Sequence, residues 1–258
     1  VIENCTFYSS QTRQPIAINF TNLRPMFVTI SNCVFSGNSR NTETSSSGAM
    51  EVVGNGTQTA ANGVTVNINN TFFSCNRRNS DGGALKLYGS SNDGRATTFN
   101  ISNSFFKGNE SSTLGSGGAA IYIGDASSNS SFSNLNIYKT DFIENVLTGS
   151  TSAGGISVFS GKQIVNINGG LFNRNGYNGA SGNKGGVLGT SAGAVVSING
   201  INAINNSATA NGGVFLNASR TIVVLDSSYF SNNVGGVAAT NNVTFTNSVI
   251  LGGVVPPS

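Results

Sequence analysis

The chain has 258 residues, a formal net charge of +3 and no histidine. Charged residues make up 9% of it, against roughly a quarter in an average soluble protein, and Arg77-Arg78 is the one adjacent basic pair, so the basic stripe of a nucleic-acid binder is excluded. Without histidine, Ser-His-Asp and Cys-His catalytic sites are excluded within the chain, zinc or haem ligation has no support, and no cofactor is expected.

In chain order, residues 1–27 read as an atypical first coil. Val1-Ile2 already sits in a strand pattern with no initiator Met or leader, as in a processed chain or an internal piece of a longer one. Cys5 and Cys33 each lie two residues before a Phe (Phe7 and Phe35), which predicts that they stack in neighbouring coils. In-register neighbours lie roughly 4.8 Å apart, within the Cα range of a disulfide. A Cys5–Cys33 bridge and a pair of stacked free thiols are both open, and Cys75 is left over.

From Phe35 onward two phrases alternate, about once every 30 residues. Phe-x-x-Asn ends at Asn38, Asn76, Asn109, Asn145, Asn175 and Asn233, and a copy with Ala203 in the Phe place ends at Asn206. Gly-Gly before a hydrophobic residue follows, as in Gly82-Gly83-Ala84-Leu85 and Gly185-Gly186-Val187-Leu188. Self-similarity at this period predicts an all-β solenoid, a parallel β-helix. Counting Phe7, Ala203 and Ile250 as degenerate copies gives about nine coils, and at roughly 4.8 Å each the rod is about 40 Å long.

The segment 165–175 shows one coil. Val165 and Ile167 alternate with Asn166 and Asn168, the period-two signature of a strand with one buried face. The repeat Phe follows at a constant offset, so like residues stack on like. An inward Asn at the next bend can bond to the Asn above and below, and Asn38, Asn76, Asn109, Asn145, Asn175, Asn206 and Asn233 are predicted to form such a ladder. The ladder Asn is also expected to take the left-handed backbone of the bend. A second Asn position (Asn4, Asn32, Asn70, Asn103, Asn247) is a candidate for a less complete ladder. Gly-Gly is expected at the next bend, where φ > 0 and close backbone approach exclude a Cβ. The four prolines, Pro15, Pro25, Pro256 and Pro257, stand only near the ends, as expected if every middle strand is paired on both sides. Residues 1–253 read as a single β-helix domain and 254–258 as a proline-containing exit linker.

Ten Asn-x-Ser/Thr sequons occur, of which Asn55, Asn129, Asn217 and Asn242 fall in the same bend. They are the N-glycosylation candidates; Asn109, a ladder residue, is expected to be buried and bare. Long insertions leave the early coils at 38–47, 54–63, 89–96 and 124–132, where solenoids carry binding or shape.

The paired motifs resemble the repeats of chlamydial polymorphic outer-membrane proteins, which carry Gly-Gly-Ala-(Ile/Leu/Val) and Phe-x-x-Asn many times over. Similar repeats occur in large surface proteins of algae and other protists. The resemblance runs from Phe35 to Gly236 and implies a right-handed parallel β-helix displayed outside the cell. The later repeats depart from it, reading Gly-Gly-Val or Gly-Gly-Ile, and with no outer-membrane barrel within these residues a bacterial autotransporter would be represented by its passenger alone.

Three function classes remain. Enzymatic β-helices need paired carboxylates on a groove, and only Asp141 and Glu144, flanking Phe142, stand close in sequence register. A carbohydrate- or ice-binding face has the outward Asn67, Asn69, Asn100, Asn136, Asn166, Asn168 and Asn199, yet lacks regular aromatic rows or Thr ranks. The expectation is a non-enzymatic, glycosylated rod at the cell surface, part of a fibril or appendage, with an adhesin passenger as the alternative. Its expected partners are copies of itself, other surface proteins and N-linked glycans, with no nucleic acid and no membrane span: no apolar run approaches roughly 18 residues.

Overall fold

The computed structural model describes residues 1–11, 15–20, 26–40, 48–54, 64–78, 82–89, 97–112, 117–124, 132–148, 153–159, 162–177, 185–190, 194–208, 214–217, 222–235, 237 and 243–251. Alternation of side chains sets the first sheet. In Val64–Asn69 and Thr97–Ser102 every second residue is buried, and the residues between are exposed or half-exposed. Phe99 stands opposite Val66 on one side and Leu135 on the other, and Ile101 opposite Ile68 and Ile137. A slip of one residue would turn every buried side chain outward, so the pattern locks the register.

Among the described residues the strands make four sheets of nine, nine, seven and five strands, in which neighbours come from successive repeats. All the strand pairings are parallel, and strands consecutive in the chain do not pair with one another. The protein is an all-β parallel solenoid. One level runs from a first-sheet strand (Thr97–Ser102) through a turn to a short second-sheet strand (Phe105–Lys107). A second turn leads to a two-residue strand (Glu110–Ser111), and Ile121–Gly124 follows in the seven-stranded sheet.

The repeat Phe supplies the core. Rings of Phe7, Phe35, Phe73, Phe106, Phe142 and Phe172 stack in one column with centroids 4.7 to 5.0 Å apart and planes within 13° of parallel. That interval is the strand spacing itself, so pairing the backbones places the rings in offset contact at no further cost in register. Ala203 interrupts the column. In that level Ile201 is fully buried and joins the core cluster, and Phe230 beyond it makes an edge contact with Phe245 at 5.9 Å instead.

Two turn expectations need correction. The left-handed residue is not the ladder Asn but the one before it: Ser9, Gly37, Cys75, Gly108, Glu144, Arg174, Asn205 and Asn232 have φ of 52–63°. The ladder Asn must aim its side chain inward, and the residue before it makes the bend. The Gly-Gly pairs of the repeat are likewise not a uniform φ > 0 device, since among their described members only Gly82 and Gly235 have positive φ. They also slip against the strands: Ile121 pairs in register with Leu85 on one side and Ile156 on the other, although the glycines precede these residues at different distances. Close approach is the reason for most of them. A Cβ on Gly83 would lie 2.2 Å from the Ala119 carbonyl oxygen, and one on Gly155 2.4 Å from that of Val187.

These two roles separate by mutation. Gly83→Ala is expected to lower the unfolding free energy by several kcal/mol, because backbone has to move. At Gly200 (φ +65°, with nothing within 4 Å of an added Cβ) Ala should cost about 1–2 kcal/mol. Asn, which fills the same turn position at Asn32, Asn70 and Asn103, should restore most of that. Urea unfolding of the three variants checks the ordering; equal losses for Gly83→Ala and Gly200→Ala would contradict it.

Candidate functional site

Three polar columns run along the solenoid axis. The innermost is the predicted ladder, and the structure brings all seven residues together. Asn38, Asn76, Asn109, Asn145, Asn175 and Asn206 each donate through Nδ2 to Oδ1 of the next Asn at 2.9 to 3.1 Å. The second Nδ2 proton goes to a carbonyl of the preceding level, as from Asn109 to Phe73 O at 3.0 Å. Each Oδ1 also accepts the backbone N–H of the preceding ladder residue, as from Asn76 N to Asn109 Oδ1 at 3.1 Å. Both amide donors and both acceptor sites of a middle Asn are therefore used. Asn38 to Asn206 are fully buried and Asn233 is 4% exposed, so each bond is made away from water.

A hydroxyl column at the first turn was not anticipated from the sequence. Thr71, Ser104, Thr140, Ser228 and Ser248 each donate to the carbonyl two residues back at 2.8 to 3.1 Å. Thr71 N, Ser104 N and Ser228 N in turn donate to the hydroxyl of the following level. The signal was present as Cys, Thr or Ser two residues before the repeat Phe, masked by two chemistries sharing one position. Cys5 and Cys33 are the sulfur members of this column. The Cys5–Cys33 bridge is not made, and both are free thiols. Cys5 Sγ donates to Glu3 O at 3.2 Å and Cys33 Sγ to Ser31 O at 3.1 Å. Stacked side chains of like orientation keep their Cβ atoms near the strand spacing, whereas a disulfide needs about 3.8 Å.

Where the column lapses at Gly170, a carboxylate takes the place of a neighbouring backbone acceptor. Gly170 carries no hydroxyl, and a Cβ there would meet Thr140 O at 2.2 Å. At other levels the N–H after this position reaches the preceding level's carbonyl, as from Phe105 N to Thr71 O. Leu171 N instead donates to Asp141 Oδ1 at 2.8 Å. Asp141 is thus a structural acceptor. Glu144, its sequence neighbour in the enzyme reading, forms an exposed ion pair with Arg174 at 3.1 Å. Arg77 and Glu110 pair at 3.2 Å. Among the described residues no three His, Cys, Asp or Glu side chains stand together to hold a metal.

The third column is on the outside of the first sheet. Asn166 Nδ2 donates to Asn136 Oδ1, Asn136 Nδ2 to Asn100 Oδ1 and Asn100 Nδ2 to Asn67 Oδ1, each at 2.9 Å. Beside it stand Asn69, Ser102, Tyr138, Asn168 and Asn199, in register. By contrast, the second Asn position makes a single link of its own, Asn70 Nδ2 to Asn32 Oδ1 at 2.8 Å. The seven-stranded sheet differs from this open face, for Leu85–Tyr88 and Ile121–Gly124 are buried on both sides. Lys86 is 2% exposed there, with Nζ 3.8 Å from Glu51 and 4.6 Å from the Tyr88 ring centroid.

Of the glycosylation candidates, Asn55, Asn129 and Asn242 lie outside the described residues. Asn217 closes the strand Phe215–Asn217 opposite Thr190, and its side chain is outside the description. Most of the long early insertions are outside it too. Among the described residues no helix is long and apolar enough to cross a membrane. Compared with family models, curated proteins and solved structures, the chain matches none.

The inner and outer amides should respond differently to loss. Asn109→Ala strands two donors of Asn76 and the Phe73 carbonyl, and at about 1–3 kcal/mol per buried unsatisfied group a loss of about 3–5 kcal/mol is expected. Asn136→Thr on the outer face should cost under about 1 kcal/mol. Chemical denaturation reads both. A pH effect is expected at the last level. Hydrogen bonds from Asn247 Nδ2 and Thr246 Oγ1 hold the Asp226 carboxyl below its ordinary value of 3.8. A depressed folded pKa gives stability that is present above that value and lost as pH falls below it. Hydrogen exchange at Val243–Thr246 should accelerate below that pH, and Asp226→Asn should remove the dependence.

Proposed function

We propose that the chain is a non-enzymatic extracellular structural protein: a glycosylated β-helical rod that forms part of a cell-surface fibril or appendage. The observation that carries this reading is the unbroken inner amide column from Asn38 to Asn233. The polar groups are spent on continuity along one axis, which stiffens a rod. Carboxylates that a catalytic reading would need are instead engaged in the scaffold, Asp141 on Leu171 N and Glu144 on Arg174. The low charge and the sequons support an extracellular, glycan-clad surface, in which sugars supply the solubility that charge does not. The resemblance of the two alternating phrases to polymorphic outer-membrane protein repeats points the same way.

Electron microscopy of native material from the cell surface tests the proposal. Regular filaments with a repeat matching the rod are the expected result, and isolated rods tethered to a wall or membrane would replace it with the adhesin reading. Peptide mass spectrometry of the same material should find glycans on Asn55, Asn129, Asn217 and Asn242, with Asn109 bare. An occupied Asn109 is incompatible with the buried ladder.

A further inference from the structure

We propose that the outer face of the first sheet binds an extended, neutral, hydroxyl-rich polysaccharide lying along the solenoid axis, held by the amide column Asn67, Asn100, Asn136 and Asn166. An amide has two protons and two acceptor sites. Within the column Asn100 and Asn136 each use one proton and one lone pair on their neighbours, which leaves one donor and one acceptor per level for a ligand. Donor beside acceptor, repeated, is what a sugar hydroxyl pair recognises. The ladder also fixes the amide rotamers before any ligand arrives, so little side-chain entropy remains to be lost on binding.

Charge and shape narrow the ligand. From Thr29 to Ser197 the central column itself is Thr, Asn or Ser, so the groups it offers along its length are uncharged and suit a neutral polymer. The binding groups lie in a straight line at roughly 4.8 Å intervals, which an extended chain can follow and a coiled one cannot. Tyr138, 45% exposed, stands in the adjacent column two residues from Asn136. Lys139 Nζ lies 5.0 Å from its ring centroid, and the exposed part of the ring offers apolar surface to the C–H face of a sugar. This inference does not rest on the fibril reading, since such a face serves a free rod and a polymerised one equally.

The test uses the 258-residue chain with microcrystalline β-1,4-glucan and a soluble β-1,4-linked hexasaccharide, and with amylose as the coiled α-1,4 comparator. Retention on the β-glucan, at least tenfold weaker binding to amylose, and at least a tenfold loss for the Asn100→Thr/Asn136→Thr double variant are expected. Tyr138→Ala should weaken binding separately, and Arg174→Ala, in the turn that follows the second-sheet strand Leu171–Asn173, should leave it unchanged. Thermal unfolding of each variant establishes that the rod is intact. Absence of retention, equal binding to amylose, or undiminished binding by an intact double variant overturns the proposal. So does sedimentation showing that the double substitution abolishes a concentration-dependent dimer instead, which would assign the face to a second copy of the chain.

Discussion

Every level of this solenoid stands one strand spacing from the next, and that single interval decides where each buried polar group can go. Backbone N–H and C=O groups in a parallel stack point along the axis, toward the neighbouring levels. A polar side chain turned inward meets the same constraint: its partner has to be its own counterpart one level away. Asparagine solves this most completely, because one amide can give two protons and take two. The column from Asn38 to Asn233 uses all four at its middle members, bonding to neighbouring amides, to a backbone N–H and to the Phe carbonyl. The Phe rings obey the same interval, and at 4.7 to 5.0 Å between centroids their stacking is a by-product of strand pairing.

Repetition does not mean uniformity, and the lapses show how local chemistry is compensated. When the Phe position becomes Ala203, the hydroxyl position of the same level becomes Ile201 and is buried. At Gly170, whose backbone departs from its counterparts at φ +112°, the next N–H, of Leu171, goes to the Asp141 carboxylate of the level before instead of to a carbonyl. Both repairs cross between columns or levels, so each residue makes sense only beside its axial neighbour. Lys139, Glu144 and Arg174 hold left-handed backbone without glycine. A pairing on both sides over-determines these turns enough to bear a cost of about 1–2 kcal/mol at each.

The exterior divides by the same geometry. The first sheet leaves its outer side open, so its Asn column bonds along the axis and keeps half its capacity for something else. In the seven-stranded sheet the strands Leu85–Tyr88 and Ile121–Gly124 are buried on both sides, and there Lys86 lies against Glu51 and Tyr88. An open, uncharged amide face and a closed, ion-paired one on a single rod are different surfaces made from one repeat.

The architecture was legible in the chain itself. Alternation at Val165/Ile167, constant spacing to Phe172 and the recurrent Asn determined the parallel stack and the seven ladder residues, because a period-two strand and a fixed repeat admit one stacking register. What only the tertiary structure decided are the matters that depend on a neighbour one repeat away. The left-handed turn falls on Arg174 rather than Asn175, since the side chain that must point inward cannot also make the bend. Gly83 and Gly155 are glycines because a carbonyl of the next level lies against them. Cys5 and Cys33 remain thiols because stacking orients them alike, each toward its own strand. Asp141, a lone carboxylate in the sequence, is a backbone acceptor only because Gly170 lies one level beyond. Sequence order records what repeats; the contact between repeats decides what each variation is for.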